Sequence, residues 1–142
     1  MTRAAQQGFT LLELAVVTTI LGLLAATSLP RLTKAFEVAR VEQASAALHS
    51  IWNAQRLHAL EFGEPAHSLA ELARLEFLDR GVVDAEEPFV FSLLARPDGR
   101  WAALATRAEH HTWSGELRCD MAGALSGTIT DGDGQDVTPT QP

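Results

Sequence analysis

The chain has 142 residues, a net charge of −7 and one cysteine. That length fits one domain with an extension, and the acidic balance with scattered Lys and Arg excludes a nucleic-acid groove as the main surface. Cys119 has no partner for an internal disulfide, and no phosphate loop, serine elbow or zinc-protease helix gives an enzyme a constellation to stand on.

Residues 1–8 are short and polar, carry Arg3, and read as a cytoplasmic leader. Residues 9–29 then form an apolar run in which Glu13 is the only charged side chain. As a helix this run is about 31 Å long, close to the ~30 Å hydrocarbon core of a bilayer, so it is expected to span a membrane. A carboxylate there costs roughly 2–3 kcal/mol unless it finds a partner. Near the helix end it can reach the headgroups. It can also meet a cation: a cut after Gly8 would create an α-amino group at Phe9, one turn from Glu13. A neighbouring copy's amino group would then pair with Glu13 only when the copies are in register. An ordinary secretory signal is the competing reading, with Arg3 ahead of an apolar segment 14–26 and a cut after Ser28. The mature chain would then begin at Leu29 rather than Phe9.

Gly8-Phe9-Thr10-Leu11-Leu12-Glu13, followed by an apolar run and Pro30, resembles the N-terminal signature of type IV pilins and type II secretion pseudopilins. More weakly, Ile51-Trp52-Asn53-Ala54-Gln55, Trp113-Ser114-Gly115 and Gly127-Thr128-Ile129 resemble the globular part of such pilins. The resemblance implies that prepilin peptidase cuts after Gly8 and methylates Phe9, and that Glu13 sets the register of a homo-oligomeric filament. It implies a precursor surrounded by lipid in the bacterial inner membrane, single-pass, with its C-terminus outside. An inner-membrane assembly platform and a cytoplasmic ATPase would build the copies into a periplasmic pseudopilus or an extracellular pilus. Arg31 and Lys34 after the run against Arg3 before it would by themselves favour the opposite orientation; the resemblance decides it. The single cysteine departs from pilins that staple their C-terminal region with a disulfide, and sits closer to pseudopilins. A minor pilin in DNA uptake or priming and a monomeric membrane-anchored binding module are the further alternatives.

Gly22 and Pro30 interrupt the helical pattern, and the proline cannot bond the carbonyl of Ala26, which predicts a kink. Residues 31–62 continue the helix. Val41, Ala44, Leu48, Ile51, Gln55, Ala59 and Phe62 recur at spacings of three and four, one face apolar except for Gln55. Gly63 and Pro65 end it. Ser68 and Glu71 form a capping-box pattern opening a helix 69–78, which Arg80-Gly81 stops. Residues 84–88 read as a loop. Segments 89–95 and 101–107 flank Pro97-Asp98-Gly99, a hairpin signal, and 113–119 with 125–130 make a second pair. The expected fold is α+β, a pilin fold with a long N-terminal helix whose second half packs on a four-stranded antiparallel sheet. Its parts are a leader 1–8, a membrane and filament-core helix 9–30, an amphipathic continuation 31–62, a head 63–130 and a flexible acidic tail 131–142.

Asp131, Asp133 and Asp136 are weak calcium candidates, helped by the resemblance, since major pseudopilins hold calcium in a C-terminal loop. They fail the EF-hand pattern, which wants Gly sixth and Glu twelfth where this chain has Asp136 and Pro142. His49, His58 and His67 do not share a helical face, and His110-His111 lack a third donor. No metal or other cofactor is expected, and Cys119 reads as a small buried hydrophobe.

Overall fold

The computed structural model of the chain describes residues 10–96, 99–108 and 112–140, with backbone alone at 27–31. Two compact units emerge, Met1–Phe36 and Glu37–Pro142. The first helix, α1 (Leu11–Phe62), has 52 residues and runs past Gly22 and Pro30, so neither residue ends it. Its C-terminus follows the expected chemistry. Gly63 adopts φ 83° and its N–H donates to Ala59 O at 3.0 Å, closing the last turn where a side chain at positive φ would be strained.

Within the second unit the helix buries Glu37, Val41, Ala44, Ser45, Leu48, Ile51, Ala54, Gln55 and His58. The predicted stripe is correct through Gln55 and then drifts: His58 is buried, whereas Phe62 is 51% exposed. A strict three-four spacing overshoots there because the loop after the helix folds back onto the His58 side. Gln55 anchors that loop. Its amide nitrogen donates to Ala66 O at 3.0 Å and its oxygen accepts from Ala66 N–H at 2.9 Å. His58 Nδ1 donates to Glu64 O at 2.8 Å, since a carbonyl only accepts, and its ring lies 4.6 Å from that of Phe62. Gln55→Leu keeps the volume but orphans both backbone groups of buried Ala66, so stability should fall by about 2–3 kcal/mol. The urea midpoint of the full chain checks this.

Ser68 caps α2 (Leu69–Arg74), its oxygen accepting from Glu71 N–H at 3.2 Å. The Glu71 carboxylate accepts from His67 N–H rather than returning to Ser68. The single predicted helix 69–78 is in fact two. Glu76 takes φ 62°, and Asp79 caps α3 (Arg80–Val83) through Gly81 N–H at 2.7 Å. Arg80-Gly81 therefore starts a turn of helix instead of stopping one, because the Asp79 carboxylate supplies the missing cap.

The sheet is an antiparallel meander in the order β1 (Phe89–Ala95), β2 (Trp101–Arg107), β3 (Ser114–Asp120), β4 (Leu125–Thr130) and β5 (Asp136–Val137). Five strands replace the four expected. The extra one comes from the tail, where Val137 is buried against the core and pairs with Ile129. Three hairpin turns share one design. The fourth residue, Gly99, Gly123 or Gly134, takes φ 77°, 84° or 77° and donates its N–H to the carbonyl of the first, Arg96, Asp120 or Asp131. A left-handed glycine in this place closes a common kind of short hairpin loop. Inner-face side chains Phe89, Ala103, Ala105, Leu117, Cys119, Leu125 and Ile129 close one core with Val41, Ala44, Leu48 and Ile51 of α1.

Candidate assembly site

Of the residues expected to direct assembly, Glu13 sits in the first turn of α1. Gly8 and Phe9, the expected cleavage and methylation positions, lie outside the described residues. Thr10 precedes the helix, and its hydroxyl accepts from Glu13 N–H at 3.2 Å, while its carbonyl accepts from Leu14 N–H at 3.1 Å. That is N-cap geometry, with Glu13 in the third helical position and its carboxylate exposed in the first turn. Thr-x-x-Glu is the capping-box pattern, legible in the sequence and missed there because Glu13 was weighed only as a charge. An acid in the first turn is favoured by the helix dipole by about 0.3–1 kcal/mol.

Apart from Glu13, residues 11–26 are apolar on every side of the helix except for Thr18 and Thr19. Leu11, Leu12, Leu14, Val16, Val17, Ile20, Leu21, Leu23 and Leu24 are each between 42% and 86% exposed. The polar side chains among them turn inward. Thr18 Oγ1 donates to the carbonyls of Leu14 and Ala15 at 3.0 Å, and Thr19 Oγ1 to Ala15 at 2.7 Å. The segment thus presents hydrocarbon and satisfies its own hydroxyls, as an apolar surrounding requires. The expected membrane span is not borne out as such: among the described residues no helix is long and apolar enough to cross a membrane.

Residues 3–29 match the prokaryotic N-terminal methylation motif. The chain carries the prepilin-type signature of type IV pilins and pseudopilins. No curated protein and no solved structure matches it. The motif takes in Gly8, Phe9 and Glu13, and it supports a pilin-like or pseudopilin subunit processed by prepilin peptidase.

The second unit holds a polar centre that the sequence did not reveal. Glu37 and Arg107 are 1% and 2% exposed. Arg107 Nε donates to Glu37 Oε1 at 2.8 Å and Nη2 to Oε2 at 3.3 Å. Its Nη1 donates to Pro88 O at 2.7 Å, and its guanidinium lies 5.5 Å from the Phe89 ring centre. Arg40 adds a bond to Glu37 Oε2 at 3.2 Å. The pair fastens the helix to β2 and to the residue preceding β1.

Two of the three calcium candidates, Asp131 and Asp136, hold the tail together. Asp131 Oδ1 accepts from Asp133 N–H at 3.0 Å and Gln135 N–H at 2.7 Å, just as Asp120 Oδ1 accepts from Ala122 and Ala124. Asp136 accepts from Thr130 Oγ1 at 2.8 Å across β4 and β5. Among the described residues no three His, Cys, Asp or Glu gather closely enough to hold a metal ion. Cys119 is buried on the inner face; burial, with the Asp120 charge, pushes its thiol up to about 11, so it stays protonated and unreactive near neutral pH.

Proposed function

We propose that this chain is a non-enzymatic structural subunit of a type IV pilus-like filament, made as an inner-membrane precursor, cut after Gly8, methylated on Phe9 and polymerised through α1. The observation that carries the reading is the methylation motif over residues 3–29, joined to a helix that offers unpartnered hydrocarbon on every side. Before assembly lipid covers that surface; after it, the same segment of neighbouring copies does. Glu13 receives the α-amino group of the adjacent copy and penalises a copy out of register. The pseudopilus of a type II secretion system is the second reading, favoured by the single buried Cys119, which leaves no internal disulfide.

Mass spectrometry of the mature chain should show a first residue Phe9 carrying one added methyl group. A first residue of Met1 or Leu29 overturns the reading. Glu13→Leu should abolish filaments. Glu13→Gln keeps the Thr-x-x-Gln capping pattern and removes only the charge. It should fail almost as completely, and normal filaments from it would make Glu13 a helix cap and nothing more.

A further inference from the structure

Beside the β1–β2 and β3–β4 turns lies a cavity of about 300 Å³ that gathers Arg96, Arg100 and Arg118 around Leu94, Trp101 and Met121. Three guanidinium groups share it with one carboxylate, that of Asp120, whose Oδ1 already holds the backbone amides of Ala122 and Ala124. Arginine thus outnumbers carboxylate in this lining, in a chain whose net charge is −7. Arg40 and Arg107 are claimed by Glu37, and Arg56 lies over Trp52. Arg96 and Arg118, by contrast, have no ion pair or side-chain hydrogen bond among the described residues. Leu94 and Met121 are 44% and 48% exposed, giving the basic rim an apolar floor.

The opposite charge stands at the other end of the same edge strand. Asp84, Glu86 and Glu87 are exposed just ahead of β1, and Arg96 follows its last residue, Ala95. β1 has 7 residues, about 23 Å at 3.3 Å per residue. The edge strand thus carries an acidic start and a basic end.

The geometry points to a head-to-tail contact between copies of this chain, in which the acidic segment 84–87 of one copy enters the arginine cavity of the next. Such a contact uses two different patches and is not self-complementary, so where its rotation does not close a ring it propagates along an open assembly. Bidentate guanidinium–carboxylate pairing supplies the specificity. The inference rests on the filament reading and adds to it a second, salt-sensitive contact between heads, since exposed charges are screened beyond about 10 Å at 0.1 M ionic strength.

The full chain, co-expressed with prepilin peptidase, tests this. Glu87→Cys combined with Arg96→Cys should give, on oxidation of sheared filaments, a disulfide ladder of dimers, trimers and higher species. Either cysteine alone should give none, because native Cys119 is buried. Arg96→Glu with Arg118→Glu, or Glu86→Arg with Glu87→Arg, should each lower filament yield roughly tenfold by setting like charges face to face, and combining the two pairs should restore it. Filaments of the double-cysteine variant without a ladder, a ladder that stops at dimers, or a combined charge variant no better than its parents overturns the contact alone. Absence of wild-type filaments overturns the filament reading as well.

Discussion

Arg107→Ala should destabilise the head by about 3–5 kcal/mol, the cost of stranding a buried carboxylate. Glu37 is 1% exposed and would keep only Arg40, whose side chain is 44% exposed. The loss is not mainly that of a strong bond, for burying the pair costs about as much as its attraction returns. Glu37→Leu combined with Arg107→Met removes both charges, keeps most of the volume, and should regain all but about 1–2 kcal/mol, the remainder being the unmet carbonyl of Pro88. A urea titration followed by the fluorescence of Trp52, Trp101 and Trp113, all in the second unit, measures the series. Equal losses in the single and double variants would show that the guanidinium acts by packing on Phe89 rather than by satisfying Glu37. Raised salt should leave the wild-type midpoint nearly unmoved, since a buried pair is poorly screened.

That ion pair also marks where reading the chain as a string stops working. Its members are 70 positions apart, each ordinary in its own neighbourhood, and only the closure of the helix onto the sheet brings them together. Features that depend on neighbours were legible. Strands 89–95, 101–107 and 125–130 coincide with β1, β2 and β4, because Pro97-Asp98-Gly99 fixes the first hairpin and alternation fixes the rest. β3 begins one residue later than expected. The fifth strand was lost because Gly and Asp around 131–135 read as solvated chain. Asp131 and Gly134 there repeat the roles of Asp120 and Gly123 one hairpin earlier, so comparing the two turns would have exposed it. Asp131, one of the acids that suggested calcium, builds the turn. At the start of α1 the resemblance singled out Glu13 for its charge, yet its place in a Thr10 cap needed only the spacing of three.

Gly127→Ala should be comparably damaging, and for a reason held entirely in backbone. Gly127 of β4 faces Leu117 of β3, and Gly115 of β3 faces Ile129 of β4. Gly127 takes φ 112° and Gly115 φ 140°, in the region that side chains rarely adopt. A Cβ on Gly127 would overlap the carbonyl oxygen of Glu116 and stand 3.0 Å from Leu117 Cα; one on Gly115 would overlap the carbonyl oxygen of Thr128. The obstacle is main chain, which cannot swing aside as a side-chain tip can, so β3 and β4 must part. Strain at positive φ costs about 1–3 kcal/mol and overpacking about 1–3 more, giving roughly 2–6 kcal/mol for Gly127→Ala. The damage would reach the core through Leu117 and Ile129, both fully buried. Gly132→Ala is the control: its Cβ would meet nothing within 4 Å, and the variant should match the wild type or gain a few tenths of a kcal/mol from a stiffer unfolded chain. Both are read from the same urea midpoints. If Gly127→Ala folds like Gly132→Ala, the close approach of β3 and β4 does not hold in solution. If it unfolds the head while the chain is still cut at Phe9, the prepilin-type signature is read independently of the domain it delivers.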